Sequence, residues 1–160
     1  MHSIRTLAMA AAVATSLAAT GLSAQAADPA SGTWELNLAK SKFSPGPAPK
    51  SLTRTYEVTG GVIKYSLNGT DADGKPTSMQ YTAKSDGKDY PVTGSKDFDA
   101  ISLRQVDAST MEATLKKGGK AVQTSTRVLS KDGKTLTLTT KGTNAKGQKV
   151  DNVMVFDKHD

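Results

Sequence analysis

The stretch Leu52-Thr53-Arg54-Thr55-Tyr56-Glu57-Val58-Thr59-Gly60-Gly61-Val62-Ile63-Lys64-Tyr65-Ser66-Leu67 contains two runs of alternating apolar and polar residues joined by Gly-Gly. A period of two marks a strand with one buried face, and β-branched Thr and Val suit a pleated surface better than a helix. Gly60 and Gly61 supply the positive φ that a tight hairpin loop needs. The unit predicted is strand, two-residue turn, antiparallel strand.

The same grammar extends in both directions. Gly74, Gly87, Gly118-Gly119, Gly133 and Gly147 punctuate further runs, and the wide interval after Gly87 holds two more turn signals, Thr93-Gly94-Ser95 and Asp107-Ala108-Ser109. No window offers a sustained helical stripe. Ten strands are predicted, near residues 33–38, 51–59, 62–68, 76–84, 88–93, 100–106, 109–117, 121–129, 134–141 and 149–157. The Gly-x-Lys turns are hairpin chemistry used several times, because the strands between them do not resemble one another. One connection differs: Ala39 to Lys50, with Ser44-Pro45-Gly46-Pro47-Ala48-Pro49, is too long and too Pro-rich for a hairpin. It reads as an arm crossing one end of the molecule or as a lid.

An open meander of this size leaves two unpaired edges, which closure removes. The fold class expected is therefore all-β, an antiparallel up-and-down meander closed into a barrel. Its inward residues are Trp34, Leu36, Leu38, Leu52, Tyr56, Val58, Ile63, Tyr65, Leu67, Met79, Tyr81, Ile101, Leu103, Met111, Leu115, Leu136, Leu138, Met154 and Phe156. Barrel diameter grows with strand number, and this set lines a ten-stranded barrel without filling it. A cavity follows.

Gly32-Thr33-Trp34 at the start of the first strand is similar to the Gly-x-Trp motif of the calycin superfamily, the lipocalins, fatty-acid-binding proteins and avidins. The longer stretch Gly32 to Phe43, with Ser44-Pro45-Gly46-Pro47 and Lys131-Asp132-Gly133-Lys134-Thr135-Leu136-Thr137 to Gly142-Thr143, resembles small exported bacterial lipocalin-like proteins. The resemblance implies a lipocalin-like barrel, export, and a Trp34 that closes the bottom. Lipocalins usually place an Arg near the last strand over that Trp; Arg127 is the only late Arg here, and Lys88-Asp89-Tyr90 is a loose echo of their Thr-Asp-Tyr motif. The two helices that fatty-acid-binding proteins insert after their first strand have no counterpart in the Pro-rich segment 44–49.

The chain has 160 residues. Residues 1–26 read as a secretory leader: a short positive start with Arg5, an Ala-rich apolar run from Leu7 to Leu22, and the cleavage signal Ala24-Gln25-Ala26. Residues 27–160 then form a single domain, periplasmic or secreted, not membrane-spanning, and monomeric. With no Cys there is no lipid-modified Cys, disulfide or thiolate. The leader carries Arg5 and no acid, so its removal takes the formal net charge from +6 to +5. The Lys residues fall largely in turns at both ends of the strands and make no single patch. Nucleic acid is disfavoured by this scatter and by the scarcity of aromatics for base stacking.

A catalytic constellation is hard to assemble. His159 is the only His beyond the leader, so a Ser-His-Asp relay or a His metal site would rest on the penultimate residue. Asp71-Ala72-Asp73-Gly74 lacks the later Glu of a calcium loop and reads as a turn. Asp97 and Asp99 flank a loop. No cofactor, metal or catalytic residue is assigned.

The signal that stands out is a polar group on an apolar face. Arg54 shares its side of the strand with Leu52, Tyr56 and Val58, which aims a guanidinium into the barrel. There it would hold a carboxylate or phosphate bidentately; alternatively it reaches water at a rim or pairs with Glu35 or Glu112. Tyr56, Tyr65 and Tyr81 offer hydroxyls and flat walls, and Trp34 is a bottom plug or a ligand contact. Arg104 and Arg127 lie on the more polar faces of their strands and are expected at the surface. The function expected is binding of a small apolar or amphipathic ligand, anionic if Arg54 anchors it. Three alternatives stand beside it: a protein-interaction barrel resembling bacterial metalloprotease inhibitors, with Ala27 to Ser31 as a plugging arm; an isomerase using interior Tyr and Arg; and an envelope protein without a small ligand.

Overall fold

The computed structural model describes residues 28–159; the leader expected at 1–26 lies outside them. Ten strands run in chain order: β1 (Gly32–Leu36), β2 (Ser51–Thr59), β3 (Val62–Thr70), β4 (Pro76–Lys84), β5 (Asp86–Thr93), β6 (Ala100–Gln105), β7 (Thr110–Lys117), β8 (Lys120–Leu129), β9 (Thr135–Thr143) and β10 (Lys149–His159). Each is antiparallel to the next, and β1 pairs with β10 from Thr33↔His159 to Leu36↔Phe156, closing the barrel. Among the described residues no helix is long and apolar enough to cross a membrane.

The opening hairpin forms as its alternation demands. β2 and β3 pair at every position from Ser51↔Thr70 to Thr59↔Val62, and Gly60 and Gly61 turn the chain at φ 57° and 76°. Directly opposed residues share a face, so Arg54↔Leu67 and Tyr56↔Tyr65 stack rank upon rank on the inside, continued by Leu67↔Met79 and Tyr65↔Tyr81 on β4. Gly94 is required by close approach: a Cβ there would stand 2.1 Å from the Ser78 carbonyl oxygen, so only Gly lets the end of β5 press on β4.

β1 is shorter than expected. Its strand ends at Leu36, and Leu38–Lys40 form a 3₁₀ turn in which the Asn37 side chain accepts from the Lys40 N–H. Leu38, expected inside, is consequently 44% exposed. A five-residue β1 leaves the first half of the eleven-residue β10 without a neighbour on that side. The following segment supplies it. Lys42 and Val153 exchange backbone hydrogen bonds, the Asp151 N–H donates to the Ser44 carbonyl, and the Ser44 N–H donates to the Asn152 side chain. The Pro-rich connection thus begins as a strap on the barrel wall, where an end-crossing arm or a lid was expected.

One seam is incomplete. β4 and β5 pair only at Gln80↔Thr93 and Tyr81↔Val92. The Val92 N–H points to the β6 side, where it donates to the carbonyl of Asp99, the residue just before β6, so the alternation of an antiparallel strand turns the nitrogen of Pro91 toward β4. That nitrogen carries no hydrogen, and the ladder stops there.

Trp34, Phe156 and Leu136 are fully buried. Phe156 pairs with Leu36 on one side and Leu136 on the other. These residues fill one end of the barrel, and the space lies toward the other.

Candidate functional site

A cavity of about 620 Å³ occupies the barrel. Leu52, Ile63, Leu67, Met79, Ile101, Leu103, Met111, Leu115 and Leu138 give it apolar walls, while Asp71 from the β3–β4 turn, Pro76 at the start of β4, and Ser95, Lys96 and Asp97 from the β5–β6 loop stand at its mouth. Asp97 also accepts from the Ala145 N–H, tying that loop to the β9–β10 turn.

Arg54, Tyr56, Tyr65 and Tyr81 all line this cavity. They form one cluster. Arg54 Nη1 donates to Tyr56 Oη at 3.2 Å, and its guanidinium carbon lies 5.5 Å from the centre of the Tyr65 ring and 4.7 Å from that of Phe156. Tyr65 stacks on Tyr81 at 4.5 Å between ring centres and tilts against Tyr56 at 5.1 Å. Arg54 is only 8% exposed, so it does not reach water at a rim. Nor does it pair with Glu35 or Glu112, which face His159 and Arg104.

Arg127 corrects the sequence reading. Expected at the surface, it lines the same cavity, with its guanidinium carbon 4.8 Å from the centre of the Tyr56 ring. Its cross-strand partners explain the inversion. Arg127 stands opposite Met111 on β7 and Leu138 on β9, both buried, and residues in one rank point the same way. On β8 the inward face is Gln123, Ser125, Arg127 and Leu129, while Val128 is 41% exposed. An apolar-face rule applied to that strand alone selects the wrong side; the neighbours decide it.

Trp34 does not line the cavity. It is completely buried at the closed end, where its Nε1–H donates to the Ala30 carbonyl at 3.0 Å. The cation over its indole is Lys158 of β10, with Nζ 5.3 Å from the ring centre. Arg127, the only late Arg, is elsewhere. Ala30 itself is 3% exposed, so residues 28–31 pack on their own barrel instead of extending as a free arm.

The cluster's electrostatics are one-sided. No ion pair among the described residues includes Arg54 or Arg127. Arg54 Nε, Arg127 Nε and Tyr65 Oη are buried without a hydrogen-bond partner among the described residues. Burial opposes the Arg54 charge, but its interactions with Tyr65, Tyr56 and Tyr81 outweigh burial and raise its pKa above the ordinary arginine value. Burial also acts to raise the Tyr56 pKa; the charges of Arg54 and Arg127 prevail and lower it. Tyr65 and Tyr81 go the other way, raised mainly by burial. The carboxylates at the mouth are turned to structural work: Asp71 Oδ1 accepts from the Asp73 and Lys75 N–H groups.

Buried polar groups are normally satisfied, and unpaired ones are costly. Among the described residues, Arg54 Nε, Arg127 Nε and Tyr65 Oη lack a partner while Arg54 Nη1 is held by Tyr56, so two guanidiniums stand under apolar walls with their hydrogen bonding incomplete. No group of three or more His, Cys, Asp or Glu among the described residues is placed to hold a metal ion. The chain matches no protein-family model, and no curated protein matches its sequence.

Proposed function

We propose that this barrel binds a small amphipathic molecule, its apolar body against the aliphatic and tyrosine walls and its anionic end at Arg54 and Arg127. One observation carries the reading: both guanidiniums line one cavity, and among the described residues neither has a carboxylate partner. A cavity of about 620 Å³ falls within the range typical of small-molecule sites, roughly 300–1,000 Å³. The Ala-rich leader with Ala24-Gln25-Ala26 supports an exported, lipocalin-like carrier that works in the periplasm or outside the cell. The interaction-module reading loses its plugging arm, since Ala30 is engaged by Trp34.

Native mass spectrometry of the chain recovered from its own compartment tests the proposal. A co-purifying mass released by denaturation, together with a rise in Tm on adding dodecanoate, is expected. Recovery of the bare chain with no thermal shift across fatty acids and isoprenoid acids would overturn it.

A further inference from the structure

The charge inventory of the cavity specifies the head group more narrowly. Resting on the interior-binding reading above, we propose that the site selects a dianionic, phosphate-type head group over a carboxylate. Arg54 and Arg127 flank the same phenol, Tyr56, one bonded to its oxygen and the other over its ring. Two positive charges therefore face one small volume. A carboxylate neutralises only one of the two charges, buried Arg54 or half-buried Arg127, whereas a phosphate monoester carries about −1.5 to −2 near neutral pH.

The donors point the same way. Three buried polar atoms of the cluster lack an acceptor among the described residues, Arg54 Nε, Arg127 Nε and Tyr65 Oη. Both residues bearing the first and third are more than nine-tenths buried, with Arg54 8% and Tyr65 4% exposed. A carboxylate brings two oxygens; a phosphate monoester brings three. Tyr56 accepts from Arg54 and keeps its own O–H to donate. The remaining titratable groups lining the cavity are Tyr81 and, at the mouth, Asp71, Lys96 and Asp97. None of the acids belongs to the cluster around Tyr56. The apolar walls and the Tyr65–Tyr81 stack suit an alkyl, isoprenoid or aromatic body.

Calorimetry with four probes sharing one tail separates charge, shape and tail: dodecyl phosphate, dodecyl sulfate, dodecanoate and dodecanol, each below its micellar concentration. At pH 8 dodecyl phosphate is expected to bind at least about tenfold more tightly than dodecanoate or dodecyl sulfate, the latter having three terminal oxygens but a single charge. At pH 5, where the phosphate is a monoanion, that margin shrinks to within about threefold. Arg127→Gln, and Arg127→Lys should the first variant not fold, reduces the phosphate margin at pH 8 while dodecanoate remains bound. Equal affinity for phosphate and sulfate, or tighter binding of dodecanoate, would overturn the head-group assignment and leave the interior-binding reading standing. Absence of binding by all four probes would overturn both.

Discussion

Arg54 and Tyr56 lie two residues apart on β2 with both side chains inside the barrel, and Arg54 Nη1 donates to Tyr56 Oη at 3.2 Å. Among the described residues the phenol is the only hydrogen-bonding partner of this guanidinium. A buried cation with one neutral hydrogen-bond acceptor and two aromatic faces, Tyr65 and Phe156, but no counter-charge serves stability poorly, because desolvation exceeds what these neutral groups return. Arg54→Met fills similar volume without the charge. It is expected to unfold at an equal or higher urea concentration than the parent, by up to about 1–4 kcal/mol, while losing binding of an anionic amphiphile. A stability loss above about 2 kcal/mol would instead make the guanidinium a structural element.

The tyrosines titrate apart. With an ordinary phenol at 10.0, Tyr56 is lowered, burial being outweighed by the Arg54 and Arg127 charges, whereas Tyr65 and Tyr81 are raised chiefly by burial. A raised pKa gives stability that is complete below pH 10 and lost as pH climbs toward the folded value. The depressed Tyr56 contributes oppositely, fully above pH 10 and less as pH falls through its folded pKa. Two raised groups against one lowered predict falling stability above about pH 10, read as a declining urea midpoint. In a 295 nm titration the earliest interior tyrosinate disappears in Tyr56→Phe; its persistence there would assign that phase to another residue.

Trp34 gives an independent check on where the closed end lies. Fully buried and bonded to the Ala30 carbonyl, it should fluoresce at short wavelength and resist iodide quenching. Trp34→Phe removes both indole area and the donor to Ala30, at an expected cost of about 1–3 kcal/mol. Ready quenching by iodide would place the indole at a surface.

The seam beside Pro91 predicts uneven protection. Backbone amides on the seam side of the two strands, those of Thr82, Lys84 and Asp89, should exchange with deuterium faster than those of the β2–β3 ladder, which pairs without interruption from Ser51↔Thr70 to Thr59↔Val62. Pro91→Val restores a donor toward the Thr82 carbonyl of β4, and the new amide at 91 should itself be protected. Protection at Thr82, Lys84 and Asp89 in the parent chain equal to that of β2–β3 would contradict the broken ladder.

Strand order, closure and most of the lining were legible from alternation and Gly-containing turns alone. Arg54 was legible too, since Leu52, Tyr56 and Val58 mark its face. Arg127 was hidden because β8 carries Val122 and Val128 on the opposite parity, and only its pairing with Met111 and Leu138 reverses the reading. Leu38 misled for a local reason: Asn37 caps a 3₁₀ turn that ends the alternation. The strap over residues 41–44 was hidden as well, because its partner, β10, lies more than a hundred residues away in sequence.

The central claim is that Arg54 and Arg127 together receive the anionic end of a molecule inside the barrel. Arginine side-chain Nε–Hε signals in ¹⁵N NMR read this residue by residue, with Arg104, exposed and paired with Glu112, as an internal control. Titration with dodecyl phosphate should shift the Arg54 and Arg127 signals together at one equivalent and leave Arg104 in place. A shift confined to Arg104, or none at Arg54 and Arg127 under saturating ligand, would contradict it.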